Sequence, residues 1–288
     1  MDLSFDGRLG RVFLGVAVAA GVMLSANGDG LKAIETVPHE LDVLVEAGHV
    51  QGVCCSEKAI YLTHARGIEK LDWSGRHLKH ADAPAHLGDC CYHDGRIYGA
   101  FVLRGAKAGE KPGMVRVWDE ELNVVAERRY DEIFGSIGIL DGTAYVGITR
   151  ANGKPHDGCE IRTLGLDLGE KARTTVDLGY PIAYGAQVIT TDGKDLLVAV
   201  YGAKKACNFS ILTPELKVKK TLAFRAAEGL APVPKSISRR DAPVFMAVRA
   251  LGGNMKKWRA DPKGNPPRIR LEFYEYADGA FKDITEGK

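Results

Sequence analysis

GDCCYHDGRIYGAF at residues 88–101 and GSIGILDGTAYVGI at residues 135–148 align without a gap. Both read as a small residue, a short apolar strand, a turn ending in Gly and a second apolar strand. The phrase recurs as AQVITTDGKDLLVAV at 186–200 and, one residue shorter at its turn, as GVCCSEKAIYLTH at 52–64. With Gly52, Gly88, Gly135 and Ala186 as markers, the copies lie 36, 47 and 51 residues apart. Periods of that size, filled with strands rather than helices, predict a radial array of small sheets.

Each unit divides into four strands rich in β-branched and aromatic residues, parted by Gly, Asp and Asn. The second unit gives strands at 88–92, 96–103, 114–119 and 123–130, and the third at 135–140, 143–148, 160–167 and 174–178. The fourth gives 186–190, 195–201, 209–213 and 217–224. Asp94-Gly95, Asp141-Gly142 and Asp192-Gly193 supply the positive φ that tight hairpins need. No window carries sustained helical periodicity. The fifth unit is less regular, with strands expected at 229–233, 244–250 and 268–276. An orphan strand at 41–46 precedes the first unit and is placed to complete the last blade, so that no sheet edge stays open. Residues 281–284 compete for that place. The expected fold is an all-β, five-bladed propeller with four antiparallel strands per blade, in one domain over residues 27–288.

Apolar residues at 45% and charged residues at 26% are globular values, and a net charge of +2 gives no sign of nucleic-acid binding. Residues 12–24 form an apolar run preceded by Arg8 and Arg11 and followed by Ser25-Ala26-Asn27. That pattern fits a signal-peptide core too short for a comfortable membrane span. Residues 1–26 are therefore expected to be a signal peptide, or an uncleaved N-terminal anchor, and the mature chain secreted or periplasmic. Six cysteines fit an oxidising compartment. Cys54-Cys55 and Cys90-Cys91 read as buried free thiols. Cys159 and Cys207 occupy matching places in adjacent units and are the disulfide candidate. Cysteine-held zinc is disfavoured, because no pair has C-x-x-C spacing and vicinal side chains on a strand point to opposite faces.

In a propeller the first strand of each blade lines the axis, and the loops after second strands share one face with the blade-to-blade connections. Those loops are the long ones here: 104–113, 150–158, 202–206 and 251–267. They carry +8 of charge against +2 for the chain, which favours an anionic ligand. Within them Lys256, Lys257, Trp258 and Arg259 would form a cationic rim with a stacking platform. The channel mouth is the second candidate surface. His49, Gln51, His86, Asp89, Tyr184 and Gln187 stand at the starts of inner strands and would form its floor. His49 and His86 could ligate a divalent metal, the candidate cofactor, or do acid–base work with Asp89 as orienter.

No P-loop, GxGxxG, GxSxG, HExxH or EF-hand motif is present, and no carboxylate pair recurs at matching channel positions. Gly48-His49-Val50-Gln51-Gly52 and His86-Leu87-Gly88-Asp89, followed by Asp94-Gly95-Arg96-Ile97-Tyr98, resemble the inner-strand motifs of a group of uncharacterised bacterial secreted five-bladed β-propeller proteins. The resemblance is confined mainly to residues 48–105. It implies a propeller with a shared channel-mouth site, and no particular reaction. The leading expectation is a monomeric protein binding an anionic small molecule or carbohydrate. A metal-assisted hydrolase or lyase and a protein-interaction scaffold are the alternatives; neither nucleic acid nor a membrane, beyond the N-terminal segment, is expected as a partner.

Overall fold

The computed structural model describes residues 40–42, 49–84, 86–103, 110–150, 154–202, 207–226, 228–251 and 268–285. The segment expected to be a signal peptide and the Lys256–Arg259 rim (256–259) lie outside the described residues.

The described strands form five antiparallel sheets arranged in a ring. Blade 1 holds β2 (Val50–Cys55), β3 (Ile60–His64), β4 (Gly67–Leu71) and β5 (His77–Asp82). Blade 2 holds β6 (His86–His93), β7 (Arg96–Val102), β8 (Gly113–Asp119) and β9 (Val124–Tyr130). Blade 3 holds β10 (Phe134–Leu140), β11 (Thr143–Ile148), β12 (Cys159–Gly165) and β13 (Glu170–Val176). Blade 4 holds β14 (Ile182–Thr191), β15 (Leu196–Gly202), β16 (Cys207–Leu212) and β17 (Val218–Leu222). Blade 5 holds β18 (Leu230–Val233), β19 (Val244–Ala250) and β20 (Arg268–Ala277), with a one-turn helix, α1 (Lys235–Ser238), that the sequence pattern did not signal.

Blade 5 closes the ring in an unexpected way. Both competing segments are used: β1 (Glu40–Asp42) pairs with the start of β20, and β21 (Ala280–Asp283) pairs with its end. Ten residues of β20 leave room for two short partners side by side. In blade 3 the outer strand begins at Glu170, not 174, because Leu168 adopts a left-handed φ of 65° and turns the chain early.

The core lies between the blades. The five apolar clusters each join two neighbours: Leu62 with Met246, Tyr61 with Trp118, Val115 with Ile137, Ile161 with Val198, and Phe209 with Phe245. Inner strands are buried on both faces and therefore read as nearly unbroken apolar runs, while the outer strands β9 and β17 are mostly exposed. The small residue that opens the repeat has a steric cause. A Cβ on Gly88 would lie 2.4 Å from the Gly135 carbonyl oxygen, and one on Gly52 2.6 Å from the Asp89 Cα. Adjacent inner strands touch backbone to backbone there, around the axis.

Cys54, Cys55, Cys90, Cys91 and Cys159 are free and buried. Cys159 thus carries no bridge in this structure, and the Cys207 side chain lies outside the described residues. Among the described residues no helix is long and apolar enough to cross a membrane.

Candidate functional site

The inner strands do not enter the mouth as regular β. Each of β2, β6, β10 and β14 is bulged near its first residues. The bulges fall on the expected site residues: Gln51 in β2, Gly88-Asp89 in β6, and Tyr184-Gly185 and then Gln187 in β14. A bulge leaves its extra residue out of the ladder and re-aims its side chain.

Two of the re-aimed strands bring histidines together. The His49 and His86 rings, at the starts of neighbouring inner strands, have centroids 5.9 Å apart, tilted by 41°. His49 is exposed and His86 half-buried. The Gln51 amide meets His49 at Nε2, which fixes the imidazole from its own strand.

The third bulge presents Tyr184. Its φ of 71° lies in the left-handed region, a strained state for an aromatic residue, and it is 36% exposed. Tyr201 packs edge-on against it at 6.3 Å, and the Tyr184 carbonyl accepts the Arg150 N–H at 2.7 Å. That bond sets the Arg150 backbone beside Tyr184. The Arg150 guanidinium lies 3.5 Å from Glu160, so part of the basic bias of the loops is offset locally. Gln187 turns back on its own strand and donates to the Gly185 carbonyl at 3.3 Å.

Asp89 departs from expectation. It is 1% exposed, turned into the ring rather than up to the mouth. Oδ2 accepts the Ile189 N–H of blade 4 at 3.2 Å, and the Cys90 and Ile137 N–H groups also point at the carboxyl. Oδ1 is buried with no hydrogen-bond partner. Burial pushes this carboxyl well above its ordinary range, and the three N–H groups recover only part of the shift. Asp89 therefore ties blades 2, 3 and 4 together at the axis, and neither described oxygen orients a histidine.

A cavity of about 40 Å³, lined by all five inner strands at Cys54, Cys90, Gly138, Thr190 and Ala231, remains toward the opposite face. That is space for about one or two waters.

One group escaped the sequence reading. Among the described residues, the three-residue cluster with ligating atoms within 4.8 Å of one another is His64, Glu69 and His80, on blade 1. These residues sit on three different strands, and the signal that would have found them is the cross-strand register of one blade.

No family model matches the chain, and no curated protein does. Solved structures do. The chain is similar to the glutaminyl cyclase of Myxococcus xanthus, with a TM-score of 0.55 at 11% identity over 84% of this chain and 97% of that one. It is similar also to the GH43_1 enzyme of Xanthomonas citri complexed with xylose, with a TM-score of 0.54 at 11% identity over 91% and 98% of the two chains. Likeness at this identity establishes the propeller fold and leaves the chemistry to this chain's own residues.

Proposed function

We infer that this protein is an exported propeller that binds an anionic small molecule or carbohydrate at the channel mouth on the long-loop face. The observation that carries the reading is the rim made by the bulged inner strands. It sets two imidazoles 5.9 Å apart and holds an exposed Tyr184 in a strained backbone state beside Arg150. Strain of this kind persists where the surrounding structure imposes it, and it clusters at binding sites. An aromatic face suits the apolar side of a sugar ring, and the imidazoles suit a carboxylate or sulfate. The +8 charge of the four long loops favours the same class of ligand.

The hydrolase or lyase reading is weaker, because it used Asp89 to orient a histidine and Asp89 is engaged with backbone N–H groups inside the ring. Export rests on the apolar run at 12–24. N-terminal sequencing of the protein recovered from the secreted or periplasmic fraction checks it, with Asn27 as the expected first residue.

Calorimetric titration with uronic-acid and sulfated oligosaccharides tests the binding reading. Wild type is expected to bind, and His49→Ala/His86→Ala and Tyr184→Ala each to weaken binding about tenfold or more, a loss of about 1.4 kcal/mol. Equal affinity in wild type and both variants, or no binding by any of them, overturns it.

A further inference from the structure

Glu69 lies in the middle of blade 1, and its side chain is only 3% exposed. A buried carboxylate must be met by partners, and three histidines supply them. Oε1 faces His64 Nε2 at 3.1 Å and His80 Nδ1 at 2.7 Å, while Oε2 faces His77 Nε2 at 2.8 Å. His80 Nε2 in turn meets Asp82 Oδ1 at 3.0 Å. The His64 and His80 rings lie nearly parallel, 5.7 Å apart.

The register explains the gathering. Glu69 on β4 stands opposite Leu62 on β3 and His80 on β5, and Gly67 stands opposite His64 and Asp82. Residues directly opposite in a sheet share a face, so His64, Glu69, His80 and Asp82 share one. Leu62 places that face against blade 5. Gly67 supplies the room: a Cβ there would come within 2.6 Å of His80 Cε1 and 3.1 Å of His64 Cε1.

We propose that His64, Glu69 and His80 form a zinc site on blade 1, with Asp82 and His77 as its outer partners. Two imidazole nitrogens and one carboxylate oxygen are a donor set that zinc takes in tetrahedral geometry with one position open. Ligand lengths of about 2.0–2.1 Å place tetrahedral ligand atoms about 3.3 Å apart, so the two contacts to Glu69 must open slightly, and all three ligand atoms already lie within 4.8 Å of one another. His80 is prepared for it: Nδ1 points at the shared centre while Nε2 is held by the Asp82 carboxylate, the outer-shell arrangement that fixes the tautomer of a metal-bound histidine. His77 holds the second oxygen of Glu69 and steadies the carboxylate. His64 must change more, since its Nδ1 now accepts a long bond of 3.3 Å from the Arg66 N–H. Binding zinc through Nε2 puts the ring proton on Nδ1 and gives up that contact.

Chelator-treated full-length protein, titrated with Zn(II) and separately with Co(II), tests the assignment by stoichiometry and by the visible absorption of tetrahedral Co(II). Wild type is expected to take up one ion of either metal, and Mg(II) and Ca(II) not to compete. Glu69→Gln should abolish uptake. Because Glu69 is buried, His80→Ala is the companion variant; its ring is 33% exposed, so the fold should survive its loss, and affinity should fall about 100-fold or more. Asp82 is 95% exposed, and Asp82→Asn should weaken binding about 10- to 100-fold. His49→Ala/His86→Ala should leave zinc uptake unchanged, which separates this site from the mouth. Wild type that binds no zinc, or binds it equally after His80→Ala, overturns the proposal.

Discussion

At the scale of the residue, Asp89 shows how an expected catalytic group becomes a structural one. Its carboxyl reaches three N–H groups, from Ile189, Cys90 and Ile137, yet burial still raises it well above the ordinary carboxylate range. The folded state therefore holds this proton to higher pH than the unfolded chain, whose aspartates release theirs near about 3.9. The sign follows from proton linkage. Wherever the folded state binds more protons than the unfolded one, stability falls as pH rises, and it does so here from about 3.9 up to the raised value in the fold. Asp89→Asn keeps an oxygen for the Ile189 N–H and cannot ionise. Its stability relative to wild type should rise as pH climbs above about 4, read as the difference in urea midpoint at each pH. Parallel curves for the two proteins would mean that Asp89 is ionised in the fold at no penalty.

At the scale of the element, the inner strand is governed by contact with its neighbours. A methyl on Gly88 meets the Gly135 carbonyl at 2.4 Å, backbone that no rotamer change can clear. Gly88→Ala should destabilise by about 3 kcal/mol. Gly95 has open space around it and a φ of 74°, so Gly95→Ala should lose only the left-handed penalty of about 1 kcal/mol. Equal losses, measured by chemical denaturation, would remove the close-approach account of the repeat marker. The same contrast explains what could be read from sequence. The small-residue marker, the apolar runs and the Asp-Gly turns are local features, and they located the inner and second strands within a few residues; β11 and β19 have the expected bounds. The bulges at Gln51, Asp89, Tyr184 and Gln187 were hidden, because one unpaired residue reverses which face a strand presents and leaves no mark in composition. Asp89 was expected at the mouth for that reason. His64, Glu69 and His80 were hidden for another: their meeting depends on the register of three strands, which Gly67 and the turns around it decide.

At the scale of the whole molecule, the ring is closed by the two ends of the described chain meeting on one strand. β1 and β21 divide β20 between them, so blade 5 depends on both termini while blades 1 to 4 are each continuous in sequence. The C-terminal partner contributes more than ladder hydrogen bonds. Phe281 stacks on Phe224 at 4.0 Å and packs edge-on against Phe209 of blade 4 and Phe245 of blade 5, bridging the seam. Since each apolar cluster joins two blades, no blade keeps its core when a neighbour opens, and loosening one seam should loosen the ring. Phe281→Ala should remove about 2 kcal/mol, less than a fully buried phenylalanine because the side chain is half-buried. Removal of residues 280–288 should cost more, because it also strips the pairing from Tyr274 to Ala277. Both variants are expected to unfold in one transition at a lower urea midpoint, with fluorescence and far-ultraviolet circular dichroism coinciding. A separate early transition, with most strand signal retained, would show instead that blade 5 opens by itself and that the closure is a latch on an otherwise stable array.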